Sequence, residues 1–130
     1  MIGPKNITVI VAGRSEISKT EALLLSIKKY IPNSKVIFSA WKGDKCEVFA
    51  PLCDEIILNK DPGTEYYNFE KTKFLNMNRM LLSRKSALEK VTTEYCLVCR
   101  ADMLIVNNNF LSLFDEFLCK GEETLFEEKI

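Results

Sequence analysis

The sequence predicts an α/β domain with a mostly parallel sheet flanked by helices. Apolar, β-branched runs at 7–12, 35–41 and 54–59 predict three strands, and a fourth apolar run lies at 95–102. Helical patterns separate these runs and give the order β-α-β-β-α-β, with a further helix at 109–118. Strands that alternate with helices favour parallel pairing, because each helix carries the chain back across the sheet.

The first helix lies between the first two predicted strands. Ser18 and Glu21 have the spacing of a capping box, which predicts the start of the helix. Pro32 ends the pattern. Apolar residues recur at helical spacing and predict one buried face: Leu23, Ile27, Tyr30 and Ile31.

A long amphipathic helix is predicted at 68–91. Large apolar residues at helical spacing predict its buried face: Phe74, Met77, Leu81, Leu88 and Val91. Asn78 falls at the border of this stripe, where a polar side chain needs a hydrogen-bond partner. That partner is either a ligand or a buried backbone carbonyl.

The run at 95–102 is predicted to be a buried strand that ends in Arg100 and Asp102. Side chains two positions apart in a strand project to the same side, so we expect the cation of Arg100 and the anion of Asp102 on one side of the sheet. The carboxyl edge of a parallel sheet is where ligands bind. A salt bridge at a solvated strand end is the alternative to a functional site.

Ala12, Gly13 and Arg14 form the predicted turn between the first strand and the first helix. The start of that helix offers backbone N–H groups to an anion, although Gly13 can equally serve a tight turn alone. Gly13 has no glycine partners at the spacing of a P-loop or a dinucleotide-binding loop. Those two classes are therefore excluded, and a nucleotide remains a candidate ligand.

Composition excludes several other function classes. Eighteen basic residues balance eighteen acidic ones, so no net charge attracts nucleic acid. No apolar stretch approaches the roughly 20 residues of a membrane span, and the first residues lack the signal-peptide pattern, so we expect a cytoplasmic protein. The absence of histidine removes the usual triad base and the commonest zinc ligand.

Five cysteines are present, and two of them resemble a Cys-x-x-Cys motif. An odd separation in a strand places Cys96 and Cys99 on opposite faces, so they cannot chelate one ion. We expect them to be buried, apolar free thiols of a reducing compartment. The other cysteines are Cys46, Cys53 and Cys119.

Five short blocks follow one another along most of the chain, at 7–11, 37–43, 58–63, 76–79 and 100–105 with 109–111. Taken in this order, they resemble the WavE-type lipopolysaccharide synthesis proteins. Those proteins look like glycosyltransferases of the GT-A fold. The resemblance therefore implies a GT-A or Rossmann-like nucleotide-binding half.

The resemblance also implies ligands and site residues. It implies a nucleotide-sugar donor, a lipopolysaccharide-core or oligosaccharide acceptor, and Mg²⁺ or Mn²⁺. The implied donor-binding residues are Ala12, Gly13, Arg14, Asn78, Arg79, Arg100 and Asp102, with Asp102 as the metal ligand. Arg100 stands where the Asp-x-Asp motif of GT-A enzymes has its first aspartate, so it either weakens the metal site or neutralises the diphosphate itself.

The expected organisation is a nucleotide-sugar-binding α/β domain at 1–118, followed at 119–130 by an acidic tail or the start of a missing second half. No catalytic base is assigned, because Asp115 and Glu116 lie in an amphipathic helical run where charge is normally solvated. We therefore expect the donor-binding part of a glycosyltransferase, peripheral to the inner membrane and inactive in transfer by itself. The alternative is a non-catalytic nucleotide-binding or interaction module of the same fold.

Overall fold

The computed structural model describes residues 3–116, with helices against both faces of a central sheet. In chain order the elements are β1 (Ile7–Ala12), α1 (Ile17–Tyr30), β2 (Lys35–Trp41), β3 (Glu55–Asn59), β4 (Glu65–Tyr66), β5 (Phe74–Leu75), α2 (Met77–Leu88), β6 (Tyr95–Arg100) and α3 (Phe110–Glu116). The predicted end of the last helix at 118, Cys119 and the segment 119–130 lie outside the described residues.

The central sheet has the strand order β3-β2-β1-β6, and all of its neighbours pair in parallel. This confirms the predicted α/β class with a mostly parallel sheet. Ala12 pairs with Ser39 of β2 on one side and with Arg100 of β6 on the other. The carboxyl ends of these strands therefore lie close together at one edge.

β1 is the centre of the domain, and all six of its residues are buried. Val9 and Val11 join a larger core with α1, whereas Ile10 and Ala12 join a smaller core with α2. Burial on both faces is typical of a central parallel strand. The predicted inner face of α1 is confirmed, with three fully buried residues and one packed at the margin: Leu23, Ile27, Ile31 and Tyr30.

The capping box predicted at Ser18 and Glu21 is wrong. α1 begins before Ser18, and its N-cap Glu16 makes no side-chain cap. The buried Thr20 hydroxyl accepts a hydrogen bond from the Glu16 N–H at 3.0 Å and donates to the Ala101 carbonyl at 3.1 Å. One threonine thus joins the first turn of α1 to the loop after β6.

β6 is half-buried, so the prediction of a strand buried on both faces is wrong. Leu97 and Cys99 face the larger core, whereas Cys96 and Val98 are exposed. The helix α2 packs across β1, β2 and β3, and the same side of β6 stays accessible. The predicted placement of Cys96 and Cys99 on opposite faces is confirmed, but Cys96 is not a buried thiol.

The helix predicted at 68–91 is wrong over its first part. β4 and β5 form an antiparallel hairpin there, and Asn68 closes its turn. The Asn68 side chain accepts from the Lys73 N–H at 3.0 Å and donates to the Thr72 hydroxyl at 2.7 Å. Lys71 adopts a left-handed φ of 56°. Asparagine side chains that bond to their own turn compete with helix formation, which the apolar pattern does not reveal.

The predicted apolar stripe does not face the sheet. Val91 packs against the smaller core, but the other members are exposed: Phe74, Met77, Leu81 and Leu88. The buried side of α2 consists of Ser83 and Ala87. These small side chains let the helix lie close to the sheet, where the Ser39 hydroxyl donates to the Ser83 carbonyl at 2.6 Å. Asn59 donates in turn to the Ser39 hydroxyl at 2.8 Å.

We expect Ala87→Leu to destabilise the domain by about 1–3 kcal/mol, because a larger side chain overpacks this buried site. The matched control Leu81→Ala removes an exposed leucine and should change the free energy of unfolding by less than about 0.5 kcal/mol. Urea unfolding followed by circular dichroism measures both. A greater loss of unfolding free energy from Leu81→Ala than from Ala87→Leu would show that Leu81, and not Ala87, faces the sheet.

Candidate functional site

A cleft of about 450 Å³ opens at the carboxyl edge of the sheet, beside α2. The turn after β1, the end of β2, the end of β6 and one face of α2 line it. The lining residues are Ala12, Gly13, Arg14, Glu16, Trp41, Asn76, Arg79, Met80, Ser83, Arg84, Cys99, Arg100, Ala101 and Asp102. Parallel α/β sheets bind their ligands at this edge.

All four arginines of the chain line this cleft: Arg14, Arg79, Arg84 and Arg100. They come from the turn after β1, from α2 and from β6, so the fold brings together residues far apart in sequence. Within residues 3–116 no lysine lines the cleft. The acidic side chains there are Glu16 and Asp102, so the cleft is locally positive in a chain with no formal net charge.

Arg79 is held by a carboxylate outside the cleft. Its Nε and Nη2 atoms donate to the two oxygens of Asp61 at 2.7 and 2.8 Å, and Nη1 donates to the Asn76 side chain at 3.1 Å. The hydrogen bond from Arg79 lowers the pKa of Asp61, with a further contribution from the Gly63 N–H. This bidentate pair ties the first turn of α2 to the loop after β3.

Arg100 and Asp102 form an ion pair in the cleft, with 2.7 Å between Nη2 and Oδ2. The strand predicted to reach Asp102 ends at Arg100, so Asp102 lies in the turn that follows, where strand periodicity does not apply, but the two side chains still meet. They are 67% and 40% exposed, so the pair is solvated and of small net strength. The salt bridge given above as the alternative to a functional site is present, but it lies in the cleft, and Arg100 remains accessible to an anion.

Arg14 and Arg84 are exposed at the cleft, and within the described part of the chain they have no hydrogen-bond or ion-pair partner. The turn that carries Arg14 is fixed by its neighbours. Gly13 has a φ of 122°, which disfavours any side chain, and the Ser15 N–H donates to Asp44 Oδ2 at 3.4 Å. Two guanidinium groups are therefore free to bind an anion.

Trp41, the last residue of β2, adds an aromatic surface to the cleft. It is half-buried and pairs in register with Asn59. Strand periodicity places its side chain on the same side as Ser39, which is the side that α2 covers. The Asp44 N–H donates to the Trp41 carbonyl at 3.0 Å and fixes the turn that follows.

Six of the seven predicted site residues come together in the cleft: Ala12, Gly13, Arg14, Arg79, Arg100 and Asp102. Asn78 does not line it. Asn78 is exposed rather than at the border of a buried face, and its backbone N–H donates to Glu65 Oε1 at 2.9 Å. Its role as a donor ligand stays a prediction.

The sequence did not identify six further lining residues: Glu16, Trp41, Asn76, Met80, Ser83 and Arg84. One available signal was the spacing of Asn76, Met80 and Ser83, which follows the helical period and marks the side of α2 that borders the cleft. The large exposed apolar residues elsewhere on α2 hid this pattern, because they predicted a different buried face.

Thiol chemistry in this cleft is disfavoured. Cys99 lines it, but burial raises the pKa of this thiol, so it stays protonated at neutral pH. Burial likewise raises the pKa of Cys53 to about 11. The functional groups that the cleft presents are therefore its guanidinium groups, its carboxylates and Trp41.

Residues 7–130 match the family described as WavE lipopolysaccharide synthesis. The chain belongs to this family. Its role is therefore in lipopolysaccharide synthesis, as the resemblance of the five sequence blocks implied. Neither the curated proteins nor the solved structures gave a significant match. Among residues 3–116, no helix is both long and apolar enough to cross a bilayer.

We expect the Asp61 carboxyl to titrate below the ordinary pKa of aspartate, and Arg79→Gln to bring that pKa back towards the ordinary value. A lowered pKa means that the pair contributes to stability above the unfolded-state pKa, and that this contribution is lost as the pH falls through the folded-state pKa. Carbon-detected NMR of the carboxyl groups measures both values.

Lys60→Gln is the control for this titration, because it removes a neighbouring positive charge that makes no hydrogen bond to Asp61. It should leave the pKa of Asp61 nearly unchanged. An equal response to Arg79→Gln and Lys60→Gln would show that general charge, and not the bidentate contact, sets this pKa.

Proposed function

We propose that this chain binds the nucleotide-sugar donor of a glycosyl transfer reaction in lipopolysaccharide synthesis. The observation that carries the proposal is the convergence of all four arginines on one cleft at the carboxyl edge of the sheet. A guanidinium group presents parallel N–H donors that match two phosphate oxygens. A cleft with an excess of such groups suits a diphosphate.

Trp41 supports the proposal that the ligand contains a nucleoside. Nucleobases stack on aromatic side chains, and each such contact contributes about 1–3 kcal/mol. Trp41 and the arginines line one continuous cleft, so a single ligand can contact both. A free phosphate would leave the aromatic surface unused.

The proposed reaction breaks the bond between the anomeric carbon of the donor sugar and a diphosphate oxygen. A new bond forms from that carbon to a hydroxyl oxygen of a lipopolysaccharide-core or other oligosaccharide acceptor, and the hydroxyl proton passes to a base. Negative charge develops on the leaving diphosphate, and positioned cations stabilise it. Both carboxylates of the cleft are ion-paired, so we assign no base.

The parallel sheet with its ligand cleft at the carboxyl edge also supports assignment to the nucleotide-binding half of a GT-A enzyme. Cytoplasmic localisation belongs to the same proposal, since nucleotide sugars are made in the cytoplasm. Contact with the inner membrane follows if the acceptor is lipid-anchored.

We expect UDP at millimolar concentration to raise the melting temperature, because a ligand of the folded state stabilises it by RT ln(1 + [L]/Kd). The same measurement with GDP, ADP and CMP completes the panel and shows which base the cleft prefers. Arg84→Gln should weaken binding of the best nucleotide roughly 10-fold, as expected for the loss of a hydrogen bond from a charged group.

The matched control is Lys85→Gln, which removes the same charge from the next residue of α2, outside the cleft lining. It should change the affinity by less than about 2-fold, as surface charges usually do. An unchanged melting temperature with every nucleotide would contradict the proposal. Equal losses in Arg84→Gln and Lys85→Gln would contradict a direct contact from Arg84.

A further inference from the structure

The carboxylates of the cleft do not suit a divalent cation. Mg²⁺ and Mn²⁺ take oxygen ligands, and a phosphate site usually supplies one or two carboxylates. The two carboxylates here are both engaged, Asp102 by Arg100 at 2.7 Å and Glu16 by Lys19 at 3.1 Å. Among residues 3–116, no cluster of three His, Cys, Asp or Glu side chains could hold a metal ion.

Arg100 occupies the place where a metal-binding motif needs its first carboxylate. It projects to the same side as Asp102 and touches its carboxylate, so a metal ion bound to Asp102 would lie beside a guanidinium group. Like charges repel each other. Arg100 therefore opposes a metal ion and supplies positive charge in its place.

Arg14 and Arg84 supply the remaining charge. Neither has a hydrogen-bond or ion-pair partner within the described residues, so both can bind a diphosphate without breaking a contact. Arg100 contacts Asp102 through Nη2 alone, so its other N–H donors are available to the diphosphate while this contact stays. Three guanidinium groups from three elements can then surround one diphosphate.

We propose that this cleft neutralises the donor diphosphate with arginine side chains and binds it without a divalent cation. The inference rests on the proposed function, and it names how the charge of that same ligand is balanced. Mg²⁺ or Mn²⁺ is then not a component of the donor complex.

Calorimetric titration of the full chain with UDP tests this in three buffers, containing EDTA, Mg²⁺ or Mn²⁺. We expect the same Kd in all three, within about 3-fold. Binding that requires a metal, or that tightens about 10-fold or more with one, would overturn this inference and leave the proposed function intact. Absence of binding by UDP, GDP, ADP and CMP in all three buffers would overturn both.

Two variants extend the test in EDTA. Arg100→Gln should weaken UDP binding roughly 10-fold, because it removes a charged donor to the diphosphate. Asp102→Asn should strengthen binding roughly 1.5- to 5-fold, because it removes the competitor for Arg100. When Mg²⁺ or Mn²⁺ replaces EDTA, a metal site predicts the opposite sign for Asp102→Asn. Unaltered affinity in Arg100→Gln would also overturn the inference, and melting curves verify that both variants are folded.

Discussion

The parallel register at the end of β1 is the constraint on which the site depends. Ala12 lies between Ser39 and Arg100, so β1, β2 and β6 end together at one edge of the sheet. That register delivers Trp41 and Arg100 to the same opening, with Arg14 in the turn between them. The hydrogen bond from Thr20 to the Ala101 carbonyl holds the first turn of α1 against the loop after β6. A shift of one residue would send each strand's side chains to the opposite face.

A buried polar network places the other half of the cleft. Asn59 donates to the Ser39 hydroxyl, and this hydroxyl donates to the Ser83 carbonyl of α2. Satisfied hydrogen bonds of this kind orient a helix where apolar contacts alone leave its rotation free. Because Ser83 faces the sheet, the face that carries Arg79 and Arg84 borders the cleft. The same small, polar residues therefore set both the orientation of α2 and the position of its two arginines at the cleft.

The four strands of the parallel sheet could be predicted from the sequence, because β-branched runs separated by turns carry their own signal. The proximity of Arg100 and Asp102 could be predicted from their short separation in the chain, although Asp102 lies in the turn after β6 and not in the strand. The orientation of α2 could not, since its large apolar residues are exposed and its buried contacts are made by Ser83 and Ala87. Arg84 and Trp41 were missed for a related reason: their proximity is created by packing between elements distant in the chain.

NMR of the arginine Nε–Hε groups tests the central claim most directly, because the chain has four arginines and all of them line the cleft. Single Arg→Lys variants assign the four resonances. Saturation with UDP in EDTA should shift the resonances of Arg14, Arg84 and Arg100, since these groups bind the diphosphate. Saturable UDP binding that leaves all of them unmoved would place the nucleotide elsewhere and contradict the account.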